Sequence, residues 1–297
     1  MSGIFDFLWK WFTRKDITLI TTTTTSTIIP RVDGLKLSLH CGINKYPNPS
    51  NNLRGCVNDA MDMVSLFQNV YKFNECKMLT DNNATLDNVT NSVIEMLARI
   101  PDVFVFTNSS HGTRILDSTG EEADGYCEAL CLYDRKLVDK NFRKILASAD
   151  PRTHIIVVSD SCHSAGVTRE FLATMNLATM NDASYVSIPK YLPPEDLMEA
   201  LAVSMLPIKK AVFEPNEKMN EVLLAGCQSN QFSYDTAFDG RPNGAFTYCL
   251  NRILKDNPYI TYAEFISKMH QHLPNARFPQ TPTLECSQSM SNNIVFS

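Results

Sequence analysis

The 297-residue sequence has no excess of basic residues. Its 32 Asp and Glu outnumber 27 Lys and Arg, which leaves a formal net charge of −5. A protein that coats nucleic acid usually carries the opposite balance. Hydrophobic residues make up 44% of the chain and charged residues 20%, and these ordinary values exclude a disordered or collagen-like chain. We therefore expect a folded, soluble protein with a sizeable core, built as one large domain with or without appendages.

The nine cysteines form no Cys-x-x-Cys pair and occur singly along the chain. The nearest approach, between Cys127 and Cys131, is one residue too wide for the common zinc knuckle and has no second pair beside it. A structural zinc site is therefore not expected. An odd number of scattered cysteines also does not suit the disulfide framework of a secreted scaffold, so we expect a reducing, cytoplasmic compartment.

No apolar run is long enough to cross a bilayer. The apolar stretch 4–12 holds both tryptophans, yet charge interrupts it and it is far too short to span. Arg14 and Lys15 follow this stretch, whereas a secretory signal places positive charge before its apolar region. Two interpretations remain open for residues 1–33, which end in a Thr-rich linker. They form either a short helix that packs on the protein or a partner, or an interfacial anchor for peripheral membrane association.

Strand and helix patterns alternate from Leu35 onward. Apolar runs predict strands at 35–43, 77–79, 103–106, 155–158, 222–227 and 294–296. Helical periodicity predicts helices at 58–71, 86–99, 139–149, 245–255 and 262–272, the second of them capped by Thr85. Continuous apolar strands that alternate with helices are typical of a parallel sheet covered on both faces. The expected fold class is therefore α/β, with a mostly parallel central sheet and helices on both faces.

Two long stretches lack such patterns. Residues 109–134 are rich in Gly, Asp and Glu and predict a long loop. Residues 167–220 have weak periodicity and contain five prolines, which predicts a long, partly irregular connection. Connections of this length are usually functional or cleavable.

Two reactive side chains follow separate apolar strands. His111 comes shortly after the strand at 103–106, and Cys162 comes after the strand at 155–158. Because reactive groups gather at the carboxyl ends of parallel strands, we expect both at one edge of the sheet. An imidazole beside a thiol raises the thiolate fraction and can protonate a leaving amine. The backbone N–H groups of Gly112 and Cys162 would together form an oxyanion hole.

Each of these residues also has a plainer interpretation. A single Cys at a strand end is more often a small buried hydrophobe, and a single His more often makes structural hydrogen bonds. The joint placement of His111, Gly112 and Cys162 favours acyl transfer over two unrelated structural residues.

Residues 109–112 (SSHG) and 160–164 (DSCHS) resemble the histidine and cysteine motifs of metacaspases, the caspase-like cysteine peptidases. The resemblance extends from Leu35 to the carboxyl terminus and suggests bacterial, viral-type or orthocaspase-like members. Ser110 and Ala165 stand where the family usually has glycine, which affects the local backbone more than the chemistry. Four further segments are similar to other parts of the family pattern: 53–60, 120–126, 225–231 and 243–247.

The resemblance implies a caspase-like sandwich over residues 34–297. Its parts are a large-subunit-like segment 34–166, the connecting region 167–220 and a small-subunit-like segment 221–297. It also implies an endopeptidase that cleaves protein or peptide substrates after Arg or Lys. Metacaspases are generally monomeric and some process themselves, so we expect a monomer without nucleic-acid partners or an organic cofactor.

Four residues match the family's substrate pocket: Asp59, Asp160, Cys56 and Ser109. A pair of carboxylates suits the ammonium or guanidinium group of a basic substrate. From the residues alone, a turn or helix cap for Asp160 and a helix N-terminal charge for Asp59 remain the alternatives.

Many metacaspases need calcium, which is held by several hard oxygen ligands together. Asp124 and Asp139 fall where the resemblance places such ligands, so calcium stimulation is a hypothesis for this chain. Lys140 departs from the Asp-Asp pair of the family. The same acids also suit a solvated loop face.

The sequence thus favours a cysteine endopeptidase with Cys162 as nucleophile and His111 as general acid and base. The alternative is a caspase-like regulatory or binding scaffold with little peptidase activity. A Cys/His acyltransferase or deamidase would use the same pair, but no feature of the sequence recommends it.

An enzyme with basic specificity is able to cut its own connecting region. We expect such self-processing most readily at Lys209, Lys210 or Lys218, and Arg169 and Lys190 are the other basic candidates in that region.

Overall fold

The computed structural model describes residues 33–117, 125–162, 187–193, 221–275 and 277–297. The helices of these residues are α1 (Cys56–Asn69), α2 (Leu86–Leu97), α3 (Asp139–Leu146), α4 (Ala245–Asp256) and α5 (Tyr262–His272). The strands are β1 (Lys36–Gly42), β2 (Glu75–Thr80), β3 (Val103–Ser109), β4 (Gly112–Leu116), β5 (Tyr126–Cys131), β6 (Lys136–Val138), β7 (His154–Asp160), β8 (Ile188–Pro189), β9 (Glu221–Ala225), β10 (Tyr234–Phe238), β11 (Arg241–Gly244) and β12 (Thr283–Glu285).

The central sheet has six strands in the order β12, β9, β7, β3, β1, β2. Neighbouring strands are parallel throughout except for β12, which pairs antiparallel with β9 at one edge. The predicted mostly parallel α/β sheet is confirmed. Two small antiparallel sheets, β4-β5-β6 and β8-β10-β11, accompany it.

Each face of the central sheet carries its own apolar core. Along β3, Val103 and Val105 belong to one core, whereas Phe104 and Phe106 belong to the other, because successive side chains of a strand point to opposite faces. Helices α1, α4 and α5 cover the first face, and α2 and α3 cover the second. Strands β3 and β7 are buried on both faces, which explains the continuous apolar runs at 103–106 and 155–158.

Local signals set two of the helix starts. Thr85 precedes α2, and its side chain accepts a hydrogen bond from the backbone N–H of Asn88, as the sequence predicts. Thr261 and Glu264 form a reciprocal capping box at the start of α5. All five predicted helices are present with shifts of a few residues at their ends.

The predicted long loop at 109–134 was wrong. The chain there forms β4 and β5, which pair antiparallel from Gly112 opposite Leu130 to Leu116 opposite Tyr126. These strands are short and polar residues interrupt them, so their pattern gave little signal. These strands matter for the backbone at His111, because β4 starts at the next residue and holds it in place.

The predicted final strand at 294–296 was also wrong. Ile294 makes only an isolated bridge to Thr261, and Phe296 has a positive φ of 60° that no extended strand permits. Val295 and Phe296 are fully buried against the core of the α1 face. An apolar run of this length signals burial but does not by itself signal a strand. The last strand is instead β12.

Two sequence predictions concern residues outside the described part of the chain. Residues 1–32, with the apolar stretch 4–12, belong there, as does most of the connecting region 167–220 except residues 187–193. Among the described residues, none of the helices has the length and apolar character needed to cross a membrane. The domain boundaries proposed from the sequence stay predictions.

A fully buried histidine, His40 of β1, makes stability depend on pH. Its ring nitrogens lie 2.9 Å from Thr107 Oγ1 and 2.8 Å from Ser38 Oγ, and its ring packs 5.1 Å from that of Phe67. Burial lowers the pKa of His40 from 6.5 to about 3. As the pH falls, His40 therefore takes up a proton in the unfolded chain before it does so in the folded chain. The stability that depends on a neutral His40 is complete above pH 6.5 and is lost as the pH falls toward 3.

We predict that the native chain loses about 2 kcal/mol more unfolding free energy than His40→Gln when the pH falls from about 7.5 to about 5. Urea unfolding of both proteins at the two pH values measures the difference. The comparison cancels the other titrating groups, which both chains share. Equal losses in the two proteins would show that His40 is not held neutral by its site.

Candidate active site

Parallel pairing brings the two reactive side chains to one edge of the sheet. Strands β3 and β7 are neighbours, with Ser109 opposite Asp160 at their carboxyl ends. His111 and Cys162 each follow two residues after this pair. Both side chains are buried, with 3% and 0% of their surfaces exposed. The structure thus places the two residues that the sequence singled out at the same edge of the sheet.

The Cys162 thiol lies against the backbone of Ser233. Its sulfur accepts a hydrogen bond from the Ser233 N–H at 2.8 Å and donates one to the Ser233 carbonyl oxygen at 3.2 Å. The backbone N–H of Cys162 points elsewhere, to the carbonyl oxygen of Lys190 at 3.1 Å. Cys162 is therefore held on two sides by backbone groups of other segments.

The His111 ring is oriented by a backbone carbonyl. Its Nε2 lies 2.8 Å from the carbonyl oxygen of Asn51. A carbonyl oxygen only accepts, so Nε2 carries the proton and the neutral ring keeps its lone pair on Nδ1. Nδ1 is buried and has no hydrogen-bond partner. Burial, opposed by the Asn51 bond and assisted by the charge of Lys190, lowers the pKa of His111 to about 4.

Gly112 brings its backbone against Cys162 and Lys190. Its N–H donates to the Lys190 carbonyl oxygen at 2.9 Å, so that one oxygen accepts from both Gly112 and Cys162. A Cβ atom at position 112 would overlap the carbonyl group of Cys162. Only glycine allows this approach, and the two predicted oxyanion-hole donors do converge on one carbonyl oxygen.

The side chain of Lys190 ends between the predicted pocket residues. Its ammonium nitrogen lies 3.1 Å from Asp160 Oδ2, 3.2 Å from Asp59 Oδ2 and 2.8 Å from Ser109 Oγ. Lys190 is completely buried, as are both carboxylates. Burial alone would lower the pKa of Lys190, but the carboxylates of Asp160 and Asp59 raise it well above the usual value. The lysine is therefore charged at neutral pH.

Cys56, the fourth predicted pocket residue, lies behind this cluster at the first position of α1. It is fully buried, and burial raises the pKa of its thiol well above the usual value. The charge of Lys190 and the Ser109 hydroxyl oppose this rise in pKa. The Cys56 thiol is therefore neutral at neutral pH.

Residues of the small-subunit-like segment hold the two carboxylates in place. Asn243 Nδ2 and the Gly244 N–H both donate to Asp59 Oδ1 at 2.9 Å. Thr247 donates to Asp160 Oδ2 through its N–H at 3.0 Å and its hydroxyl at 2.7 Å. The sequence pattern marked this segment as family-like but did not reveal its contact with the pocket.

The segment around Lys190 runs through the cleft as an extended strand. The Lys190 N–H donates to the Ser233 carbonyl oxygen at 2.9 Å, and β8 pairs antiparallel with the start of β10. On the far side of Lys190, the Leu192 N–H donates to the Gly112 carbonyl oxygen at 3.0 Å. Residues 187–193 are therefore hydrogen-bonded before and after Lys190, and we call them the docked segment.

The predicted calcium ligands are not brought together by the described residues. Asp124 lies outside them, and Asp139 begins α3 with a buried Oδ1 that has no hydrogen-bond partner. Lys140 forms an ion pair with the buried Asp117, 3.2 Å from Nζ to Oδ2. In the described part of the chain no group of three or more His, Cys, Asp or Glu side chains is suited to a metal ion. The calcium site with Asp124 and Asp139 therefore stays a hypothesis.

These features, an α/β sandwich with a buried thiol and imidazole at neighbouring strand ends, define a class of cysteine peptidase. The sequence model of the caspase domain matches residues 36–293. The chain belongs to the caspase domain family and is a cysteine-type endopeptidase related to metacaspases.

The similar proteins agree with this assignment. Metacaspase-1 of Schizosaccharomyces pombe is 26% identical over 88% of this chain and 69% of its own length. Metacaspase-1 of Scheffersomyces stipitis is 27% identical over 89% of this chain and 73% of its own length. A solved structure from Geobacter sulfurreducens shares the fold, with a TM-score of 0.63 at 24% identity over 89% of this chain and 98% of that one.

The Lys140 ion pair leads us to predict a weak calcium response. Adding calcium should change the peptidase rate of the native chain less than about twofold, because Lys140 supplies an ammonium, paired with Asp117, where the family pattern has a second acidic ligand. Lys140→Asp should gain a calcium response, and Lys136→Asp on the nearby strand β6 serves as the matched control. A strong calcium stimulation of the native chain, absent from Asp139→Asn, would contradict this expectation and support the ligand role of Asp139.

Proposed function

We propose that the chain is a cysteine endopeptidase that cleaves after Lys or Arg, with Cys162 as nucleophile and His111 as general acid and base. One observation supports it above all others. The docked segment offers a peptide carbonyl to two backbone N–H donors while its side chain inserts between two carboxylates. These are the two contacts that a substrate with a basic residue before the cleaved bond would make.

The arrangement supports acyl transfer as follows. Nδ1 of His111 accepts the thiol proton of Cys162, and the sulfur attacks the carbonyl carbon of the basic residue. The negative charge that develops on the oxygen is stabilised by the N–H groups of Gly112 and Cys162. His111 then gives the proton to the leaving amine, and water, deprotonated by His111, hydrolyses the thioester.

Two orienting contacts prepare His111 for this role. Asn51 fixes the tautomer, because its carbonyl oxygen takes the Nε2 proton and leaves Nδ1 as the acceptor. The hydroxyl of Tyr46 accepts from the His111 N–H at 3.1 Å and donates to the carbonyl of Cys131 at 3.0 Å. The ring is therefore positioned without a carboxylate partner, and its lowered pKa keeps it neutral and able to accept a proton.

The basic specificity rests on the charge of the pocket. Asp59 and Asp160 are both buried and both lie next to the Lys190 ammonium. Without a cation between them, two close buried carboxylates would repel each other. A neutral or acidic residue before the cleaved bond would leave this repulsion uncompensated, so the pocket favours Lys and Arg and disfavours Asp.

The same geometry supports self-processing at a particular bond. The connecting-region lysines expected from the sequence, Lys209, Lys210 and Lys218, lie outside the described residues. Lys190, the further candidate, has its carbonyl oxygen on the Gly112 and Cys162 donors. The bond positioned for attack is therefore Lys190–Tyr191. While this bond is intact, the docked segment keeps other substrates out of the pocket.

We predict that peptides ending in Lys or Arg before a fluorogenic leaving group are hydrolysed and that matched Asp peptides are not. Asp59→Asn should lower kcat/KM for the basic peptides at least about a hundredfold, because it removes one of the two pocket charges. Asp87→Asn is the matched control: it loses an exposed ion pair with Arg135 in the first turn of α2, and this variant should leave the rate nearly unchanged. Cys162→Ala should be inactive.

Folded protein with no hydrolysis of any peptide, including after Lys190→Ala has emptied the pocket, would contradict the peptidase proposal. That result would favour the alternative of a caspase-like scaffold.

We predict self-cleavage after Lys190, which yields fragments 1–190 and 191–297. Intact-mass spectrometry of the purified chain over time should show both fragments, and Cys162→Ala should stay whole. A triple variant in which Lys209, Lys210 and Lys218 are Ala should cleave like the native chain. Cleavage confined to those three lysines would show that the docked segment is bound without being cut.

A further inference from the structure

The lysine pocket presents three acceptors to the ammonium. They are Oδ2 of Asp59, Oδ2 of Asp160 and Oγ of Ser109, at 3.2, 3.1 and 2.8 Å. An ammonium group has three N–H donors and no acceptor, so its donors and these acceptors match in number. The Ser109 hydroxyl gives its own proton to Asp59 Oδ2 at 2.7 Å, which leaves its oxygen free to accept from the lysine.

Each carboxylate turns only one oxygen toward the ammonium. The other oxygen of Asp59, Oδ1, accepts from Asn243 Nδ2 and from the Gly244 N–H. The other oxygen of Asp160, Oδ1, accepts from the Ser233 hydroxyl. An arginine guanidinium binds a carboxylate best through two parallel hydrogen bonds to both of its oxygens. Neither carboxylate presents both of its oxygens to the side chain of Lys190.

The backbone of Gly244 closes the end of the pocket. A Cβ atom at this position would overlap the Lys190 ammonium and Asp160 Oδ2, and it would lie 2.7 Å from Asp59 Oδ2. Gly244 is therefore packed directly against the place where the ammonium sits. An arginine side chain is one atom longer than lysine and branches at its end, so it would need space that Gly244 and the fixed carboxylates occupy.

We propose that this pocket selects Lys over Arg, and that Asn243 is the positioning residue that sets the selection by holding Asp59 in its one-oxygen orientation. The inference rests on the proposed peptidase function and specifies its substrate class. The contribution of Asn243 is made through Asp59, because its amide touches that carboxylate and not the ammonium.

The test compares two fluorogenic peptides that are identical except for Lys or Arg before the cleaved bond. The full-length chain carries Lys190→Ala, so that its own lysine does not fill the pocket. We expect kcat/KM for the Lys peptide to exceed that for the Arg peptide at least about tenfold. A second variant carries Lys190→Arg in the otherwise native chain. Its self-cleavage should be at least about tenfold slower than that of the native chain.

Asn243→Ala distinguishes a positioning role from a merely structural one. Without the Asn243 amide, Oδ1 of Asp59 is held only by the Gly244 N–H, which lies within 3.0 Å of both oxygens of this carboxylate, so the carboxylate can turn toward a guanidinium and the ratio of Lys to Arg hydrolysis should fall at least about fivefold. A structural defect alone would lower both rates together and keep the ratio. Asn257→Ala is the matched control, because the Asn257 amide donates to the Ile253 carbonyl oxygen at the far end of α4 from Gly244, and it should keep the ratio of the parent.

The outcomes separate the two proposals. Hydrolysis of both peptides at similar rates, or faster hydrolysis of the Arg peptide, overturns the selection for Lys and leaves the peptidase proposal standing. A ratio that Asn243→Ala leaves unchanged overturns the role of Asn243. Hydrolysis of neither peptide overturns the proposed function and the inference with it.

Discussion

A buried cation between two buried carboxylates organises the active-site cleft of this protein. Transfer of a single ammonium from water to a protein interior costs several kcal/mol, and only close opposite charges with further hydrogen bonds offset it. Lys190 meets that condition, with Asp59 and Asp160 within 3.2 Å and Ser109 within 2.8 Å. Removal of one partner would leave an uncompensated buried charge, so these groups hold one another in place.

This cluster joins parts of the chain that are far apart in sequence. Asp59 comes from the first turn of α1, Asp160 from the end of β7 and Lys190 from the docked segment. Asn243, at the end of β11, and Thr247, in α4, complete the hydrogen bonds of the two carboxylates. The pocket is therefore assembled from distant parts of the chain, and the Lys190 ammonium compensates its negative charge.

The sheet provides the second constraint. Parallel strands end at the same edge, so pairing of β3 with β7 is sufficient to bring His111 and Cys162 into one cleft. The backbone of Ser233, just before β10, then receives the Lys190 N–H and the Cys162 thiol. Backbone groups thus hold the docked segment in the cleft, and the pocket contacts the side chain of Lys190. Under the proposed function, a substrate would be held by the same main-chain contacts.

Sequence reasoning predicted the central sheet, the helices and the position of His111 and Cys162 at one sheet edge, because apolar periodicity and the position after a strand are local signals. It missed β4 and β5, because these short strands are interrupted by polar residues and give a weak pattern. It also missed the occupation of the pocket by Lys190 and the support from Asn243 and Gly244. Those contacts join positions from 30 to 185 residues apart, and no local pattern in one sequence encodes such a pairing. The two predicted pocket carboxylates did come together, although the sequence alone favoured capping roles for them.

The central claim is that the chain binds its own Lys190 as a substrate. The most direct measurement is a crystal structure of the full-length Cys162→Ala variant, which has the pocket but lacks the nucleophile. The account predicts Lys190 with its ammonium between Asp59 and Asp160 and its carbonyl oxygen on the N–H groups of Gly112 and residue 162. An empty pocket, or a pocket filled by a different side chain, would contradict it.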